Sequence, residues 1–171
     1  MGIFDRFFKD ERGDSVKRFT SSAEAFISTF IIGLSLSEHY LDEADFNDKQ
    51  KNIFKSAITL GILDGVAQSQ NNLSGNNDIT QGMVSTQLMD NLYEVFNLSE
   101  SETREISSIV FNKCETENSF NRLQEFGGKF VFKFYLEETQ ADKPNVMRAL
   151  NLSEVYEDKG LLSEFLKSLD K

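Results

Sequence analysis

Apolar residues recur three or four positions apart along most of this chain, and this spacing constrains the fold more than any other feature. One proline, Pro144, stands in 171 residues, and it suits the first turn of a helix. We therefore predict an all-α protein, a single compact domain of six or seven helices packed as a mixed-angle bundle. The clearest helix, roughly 15–40, carries its apolar stripe on Val16, Phe19, Ala23, Phe26, Ile27, Phe30 and Leu34.

Short polar residues mark the expected helix ends. The second helix is expected to end near Gln70, before a loop over residues 71–78, and Gly160 is expected to break the last helical piece. Ser99 is followed by Glu102 at the spacing of a capping box. The predicted N-cap residues are Asp14 or Ser15, Asn47, Asp78 and Ser99.

The segment 129–136 fits two kinds of secondary structure. Phe130, Phe132 and Phe134 alternate with other residues, which is a strand pattern, and two glycines precede them. A lone strand has no partner for its backbone hydrogen bonds, and the sequence offers no second convincing strand. A helix is therefore the favoured prediction.

Residues 1–12 are predicted to form a short amphipathic segment ahead of a helical domain over 13–171. Phe4, Phe7 and Phe8 fall on one face of a short helix, and acidic residues offset the basic ones opposite. Helices that lie on membranes usually carry a strongly basic polar face. We therefore expect this segment to pack on the body of the protein, or on a second copy of it, rather than on lipid.

The charge of the chain points to protein partners. The net charge is −10, and residues 73–118 hold eight acidic and two basic side chains. Nucleic-acid binding is disfavoured because it needs a basic face. No uncharged stretch reaches the roughly 18 apolar residues of a membrane span, so we expect no stable membrane insertion and a cytoplasmic protein. Glu100, Glu102 and Glu105 form the candidate docking face for a basic partner protein; the alternative is a solvated surface.

Catalytic and metal sites find little support in the sequence. His39 and Cys114 are the single histidine and the single cysteine, which excludes disulfide scaffolds and multi-histidine metal sites. We predict no catalytic residue, no metal ligand and no cofactor. The leading expectation is a non-enzymatic interaction or regulatory module of a bacterial-type cytoplasm. A metal-assisted hydrolase that uses carboxylates such as Asp64 is the third alternative.

Small residues and phenylalanines supply the second alternative. Ala57, Gly61 and Gly65 form a stripe at helical spacing, which either lets another helix approach closely or leaves room for a ligand. A ligand site of this kind would be an apolar cavity that binds a small apolar molecule. Its predicted lining is Gly61, Gly65, Phe126, Phe130 and Phe134.

Overall fold

The structure, a computed structural model, describes residues 3–138 and 151–170, with side chains for 14–34, 37–134 and 151–170. All regular secondary structure in these ranges is helical, which confirms the all-α prediction. Two of the helices, α2 and α7, are single short turns that the expected six or seven did not include. The elements are α1 (Ile3–Ser37), α2 (His39–Glu43), α3 (Asp48–Ser74), α4 (Gln81–Glu94), α5 (Glu100–Thr116), α6 (Asn118–Glu138), α7 (Ser153–Tyr156) and α8 (Lys159–Leu169).

Helix α3 lies at the centre of the fold. Every residue from 56 to 63 is buried, which means that all faces of the helix are covered. The covering elements are α1, α4, α5 and α6. The hydroxyl groups of Ser56 and Thr59 donate hydrogen bonds to backbone carbonyls four residues earlier, so these polar side chains are buried without losing their partners.

Helices α3 and α6 cross at backbone contact. A β-carbon on Gly61 would stand 1.9 Å from the carbonyl oxygen of Gln124, and one on Gly127 would stand 2.2 Å from that of Ile58. Side chains of any size are excluded at both positions. The small residues of α3 therefore serve the close approach of α6.

An aromatic cluster anchors the C-terminal helices to α3 and α6. The ring of Phe165 in α8 lies 5.2 Å from Phe54, 4.8 Å from Phe120 and 5.7 Å from Phe46, measured between ring centroids. Edge-to-face and offset pairs of this kind add to the free energy gained by burying their area. Phe165 thus joins elements from three parts of the chain.

Two of the predicted helix starts are confirmed. Asn47 caps α3, where its side chain accepts from the backbone N–H of Gln50. Ser99 caps α5, and Glu102 completes the capping box. The segment 129–136 lies within α6, so the helical prediction holds and the strand alternative is wrong.

Two predicted starts are wrong. Helix α1 begins at Ile3, so Asp14 and Ser15 are interior residues. The backbone is helical through residues 12 and 13, and the division into an N-terminal segment and a helical domain stays a prediction. Thr80 caps α4, because Asp78 instead accepts a hydrogen bond from the Ser15 side chain.

Two predicted ends are also wrong. Helix α3 passes Gln70 and ends at Ser74, where Gly75 caps it with a φ of 69°, the left-handed conformation of a C-cap glycine. Gly160 lies in the first turn of α8 after the cap Asp158, so it does not break that helix. Pro144 lies outside the described residues.

Candidate functional site

The three glutamates of the expected acidic face have partners within the protein. Glu100 forms an ion pair with Arg104 on the next turn of α5, and Glu105 forms one with Lys49 of α3 at 2.6 Å. Glu102 accepts from the hydroxyl group of Ser99 at 2.6 Å and from its backbone N–H at 2.9 Å, and these two hydrogen bonds lower the pKa of its carboxyl group. Their carboxylates therefore stabilise α5 and its contact with α3. Because each already has a partner in the protein, this surface offers fewer free carboxylates than the sequence indicates.

The N-terminal phenylalanines lie outside the described side chains. The backbone of Phe4, Phe7 and Phe8 belongs to the first turns of α1. Their proposed packing on the body or on a second copy stays a prediction.

The residues of the expected apolar cavity separate into two environments. Phe126 and Phe130 are buried in the core, and Phe134 packs edge-to-face on Phe26 of α1 at 5.1 Å. Gly61 and Gly65 instead line an open groove of about 340 Å³ beside the helix crossing, which we call the α3–α6 groove. The other residues of its lining are Asp64, Gln68, Asn121, Gln124, Glu125, Gly128, Lys129 and Phe132.

The single cysteine and the single histidine lie in contrasting environments. Cys114 is buried, and desolvation raises the pKa of its thiol to about 12. His39 is exposed, with its ring 4.0 Å from that of Tyr40. Within the described ranges, no group of three or more His, Cys, Asp or Glu side chains is placed to hold a metal ion.

Within the described ranges, none of the helices combines the length and the apolar character that crossing a bilayer requires.

A larger groove, of about 820 Å³, opens between α2 and the two C-terminal helices. We call it the α2–α8 groove. Its apolar lining comes from alanine, leucine and tyrosine, and charged side chains accompany it. The full lining is Tyr40, Glu43, Ala44, Tyr156, Glu157, Lys159, Leu162, Ser163, Leu166, Lys167 and Asp170.

A hydrogen bond links the two sides of the α2–α8 groove. The hydroxyl group of Tyr40 donates to Oε1 of Glu157 at 3.1 Å, across 117 residues of sequence. The bond to the carboxylate and its negative charge raise the pKa of Tyr40. Contacts between distant parts of the chain therefore form this groove, and no single motif encodes it.

One face of α8 supplies a wall of the groove. Lys159, Ser163, Leu166 and Asp170 recur three or four residues apart, which places them on one side of a helix. The opposite side of α8 buries Phe165 in the aromatic cluster. The helix is thus held firmly by its apolar face while its outer face lines the groove.

Tyr156 is a buried component of the groove. Its side chain is 1% exposed, and its ring meets that of Phe54 edge-to-face at 5.4 Å. Its hydroxyl oxygen has no hydrogen-bond partner in the described part of the chain. Burial, together with the charge of nearby Glu38, raises the pKa of the phenol, which keeps it neutral.

The charges around the α2–α8 groove are mixed, with an acidic excess. Glu43, Glu157 and Asp170 contribute three carboxylates. Lys159 and Lys167 are the two cations, and neither forms an ion pair with a described residue. Unpaired charges on the rim of an apolar surface are available to a binding partner.

Sequence analysis missed this groove because its walls come from residues 40–44 and 156–170, which approach only in the folded protein. The local signal for it was the helical spacing of the leucines and lysines of α8, which are Leu162, Leu166, Lys159 and Lys167. Comparison with known proteins adds no relative: no protein family, no curated protein and no solved structure matches this chain.

Proposed function

We propose that this protein is a non-enzymatic binding module of the cytoplasm, and that its α2–α8 groove binds an amphipathic helical segment of a partner protein. The observation that carries the proposal is the groove itself, in which the half-buried Ala44 and Leu166 offer apolar surface beside two lysines that pair with no described residue. Amphipathic helices bind grooves of this character through apolar residues spaced three or four apart.

Charge favours a basic partner segment. The groove carries three carboxylates against two lysines, within a chain whose net charge is −10. Such a field speeds the approach of a positively charged partner and weakens binding as salt concentration rises. The partner segment we expect has an apolar stripe flanked by lysine or arginine.

The test is NMR mapping with a defined peptide. The probe is a short helical peptide of leucine and lysine with its leucines at helical spacing, and a peptide of the same composition in scrambled order is its control. We expect the patterned peptide alone to shift amide signals of residues 40–44 and 156–170. Shifts that lie elsewhere, or that are equal for both peptides, would contradict the proposal.

A matched pair of variants locates the binding. Ser163 is exposed in the groove and Ser108 is exposed on α5, outside the groove lining, so arginine is tolerated at both positions. Ser163→Arg should obstruct the groove and weaken the patterned peptide about tenfold or more, which corresponds to about 1.4 kcal/mol. Ser108→Arg should bind as the unmodified protein does. Equal affinities for the two variants would exclude the α2–α8 groove.

A small apolar or amphipathic molecule in the same groove is the second candidate. The volume of about 820 Å³ favours it, because small-molecule sites typically measure about 300–1,000 Å³. A native mass spectrum of gently purified protein separates the two candidates. Excess mass that denaturation removes would favour the small ligand, and the bare chain mass would favour the protein partner.

A further inference from the structure

The first turns of α1 carry the sequence pattern that the α2–α8 groove requires of a partner. The backbone is helical from Ile3 onward, and four apolar residues are spaced so that they share one face of this helix. These residues are Ile3, Phe4, Phe7 and Phe8. Amphipathic helices bind apolar grooves through a face of this kind. The chain itself therefore contains a segment of the class that the groove is expected to bind.

The charges of this segment match those around the groove. The segment holds three basic and three acidic side chains, which are Arg6, Lys9, Arg12, Asp5, Asp10 and Glu11. The groove also carries both signs, with three carboxylates beside Lys159 and Lys167, and these two lysines pair with no described residue. Each sign on the segment thus has an opposite charge on the rim of the groove, which favours one docked orientation.

The groove is accessible and has the length of the segment. Tyr40, Ala44 and Leu166 line it and are half-buried, so part of each side chain is open to a ligand. Helix α8, which supplies one wall, has 11 residues and is therefore about 16 Å long. Residues 3–12 form about 15 Å of helix at the same rise per residue. The segment therefore fits along this wall.

The segment cannot reach the groove of its own chain. Helix α1 has 35 residues, which corresponds to about 52 Å, and the groove begins at Tyr40, just beyond its C-terminal end. Contacts with other helices hold α1 along the body. Ser15 donates a hydrogen bond to Asp78 toward its N-terminal end, and Glu38 pairs with Lys55 at 2.7 Å just after its C-terminal end. The segment and the groove therefore lie at opposite ends of one helix.

We propose that the partner of the α2–α8 groove is a second copy of this chain, whose residues 3–12 occupy the groove; this inference rests on the proposed function. Phe4, Phe7 and Phe8 supply the apolar contact. Two copies that lie antiparallel along α1 bring each segment to the groove of the other copy. The contact is then reciprocal, so the assembly closes as a two-fold dimer and does not grow into a filament.

The experiment is complementation between two variants of the full chain, followed by sedimentation velocity over a concentration series. Phe7→Asp disrupts the apolar face and leaves the groove intact, whereas Ser163→Arg obstructs the groove and leaves the segment intact. We expect the unmodified protein to be a dimer and each variant alone to be a monomer. An equimolar mixture should form a heterodimer, because the segment of one variant enters the groove of the other. This heterodimer should be at least about tenfold weaker than the unmodified dimer, since one contact replaces two.

Matched variants control for the substitutions themselves. Phe7→Leu keeps an apolar side chain and Ser108→Arg places the arginine outside the groove lining, so both should remain dimers. A dimer built from two N-terminal segments in contact with each other would behave differently. Ser163→Arg would then dimerise alone, and that result would overturn the proposal. A mixture of Phe7→Asp and Ser163→Arg that does not associate would also overturn it.

The patterned leucine and lysine peptide separates this proposal from the proposed function. It should dissociate the unmodified dimer by competing for the groove, while the scrambled peptide should leave the dimer intact. A dimer that persists when the patterned peptide saturates the groove would overturn the second copy as the occupant. An unmodified protein that is monomeric at every concentration would overturn it too. If the patterned peptide still shifts residues 40–44 and 156–170 of that monomer, the groove keeps its proposed function with a different partner.

Discussion

The carbonyl oxygen of Gln124 lies 1.9 Å from the point where a β-carbon on Gly61 would stand. Real β-carbons never approach a backbone oxygen this closely, so the α3–α6 crossing exists only because residue 61 lacks a side chain. The reciprocal contact, between Gly127 and the carbonyl oxygen of Ile58, would be 2.2 Å. Two glycines on opposite helices therefore fix one interhelical distance.

Gly61→Ala should destabilise the protein strongly. The added methyl group meets backbone rather than a flexible side chain, and overpacking of this kind costs about 1–3 kcal/mol or more. Gly82→Ala is the matched control, because nothing lies closer than 3.7 Å to its added β-carbon and the position is helical and exposed. It should stabilise the protein by about 0.5–1 kcal/mol. Urea unfolding measures both, and a neutral Gly61→Ala would refute the close crossing.

Ser99→Ala should destabilise α5 by about 1 kcal/mol, because Ser99 caps the helix through the backbone N–H of Glu102. The partner carboxyl group adds a dependence on pH. The pKa of Glu102 is lowered from its ordinary value of 4.5 in the folded protein, so its contribution is complete above that value and is lost as pH falls through the folded pKa.

Glu102→Gln should therefore remove part of the acid sensitivity of unfolding while keeping an acceptor for the cap. Thermal unfolding from neutral to acidic pH measures this, with Glu100→Gln as the control in the same helical turn. An identical acid profile for Glu102→Gln and the unmodified protein would contradict the capping role of the carboxylate.

Asp64→Asn should stabilise the protein more at pH 7 than at pH 4. Burial raises the pKa of Asp64 above its ordinary value of 3.8, so the folded state holds this proton more tightly than the unfolded state does. Stability is then lost as pH rises through the interval between the two values. The charged or titratable groups around it are Glu125, Lys129 and the un-ionised thiol of Cys114.

The measurement for Asp64 is the free energy of unfolding of both proteins across this pH interval. The expected gain grows with pH and levels off above the folded pKa. A constant difference at every pH would show that the charge of Asp64 is already compensated.

Tyr156→Phe should stabilise the protein by about 1 kcal/mol, because it removes a buried hydroxyl group that has no described partner. Tyr40→Phe is the comparison, since it removes a hydroxyl group that donates to Glu157 at the surface. Chemical denaturation of both variants decides the point. A loss of stability in Tyr156→Phe would mean that an ordered water or another group satisfies its hydroxyl.

Local signals allowed part of this structure to be predicted from the sequence. The caps at Asn47 and Ser99 were predictable because a capping box involves residues only three positions apart. The prediction of a cap at Asp78 was wrong, because the carboxylate of Asp78 accepts a hydrogen bond from Ser15 in another helix. Tertiary contacts changed the role of a residue that has ordinary capping chemistry.

The candidate sites show the same division. The stripe of Gly61 and Gly65 was visible from spacing, but the choice between a cavity and a helix crossing depended on where α6 lies. The partner of Glu105 is Lys49, 56 residues away, so an apparently free acidic face could not be recognised as partly neutralised. The α2–α8 groove depends on contacts such as that between Tyr40 and Glu157, which no local pattern encodes.

The aromatic cluster around Phe165 has a consequence for biosynthesis. Phe46, Phe54 and Phe120 are made first, and the ring that packs against all three arrives only with residue 165. While translation proceeds, these earlier rings lack the partner that covers them in the native protein. Exposed apolar surface of this kind favours aggregation and attracts chaperones. The part of the core around Phe165 is therefore expected to close only after α8 has been synthesised.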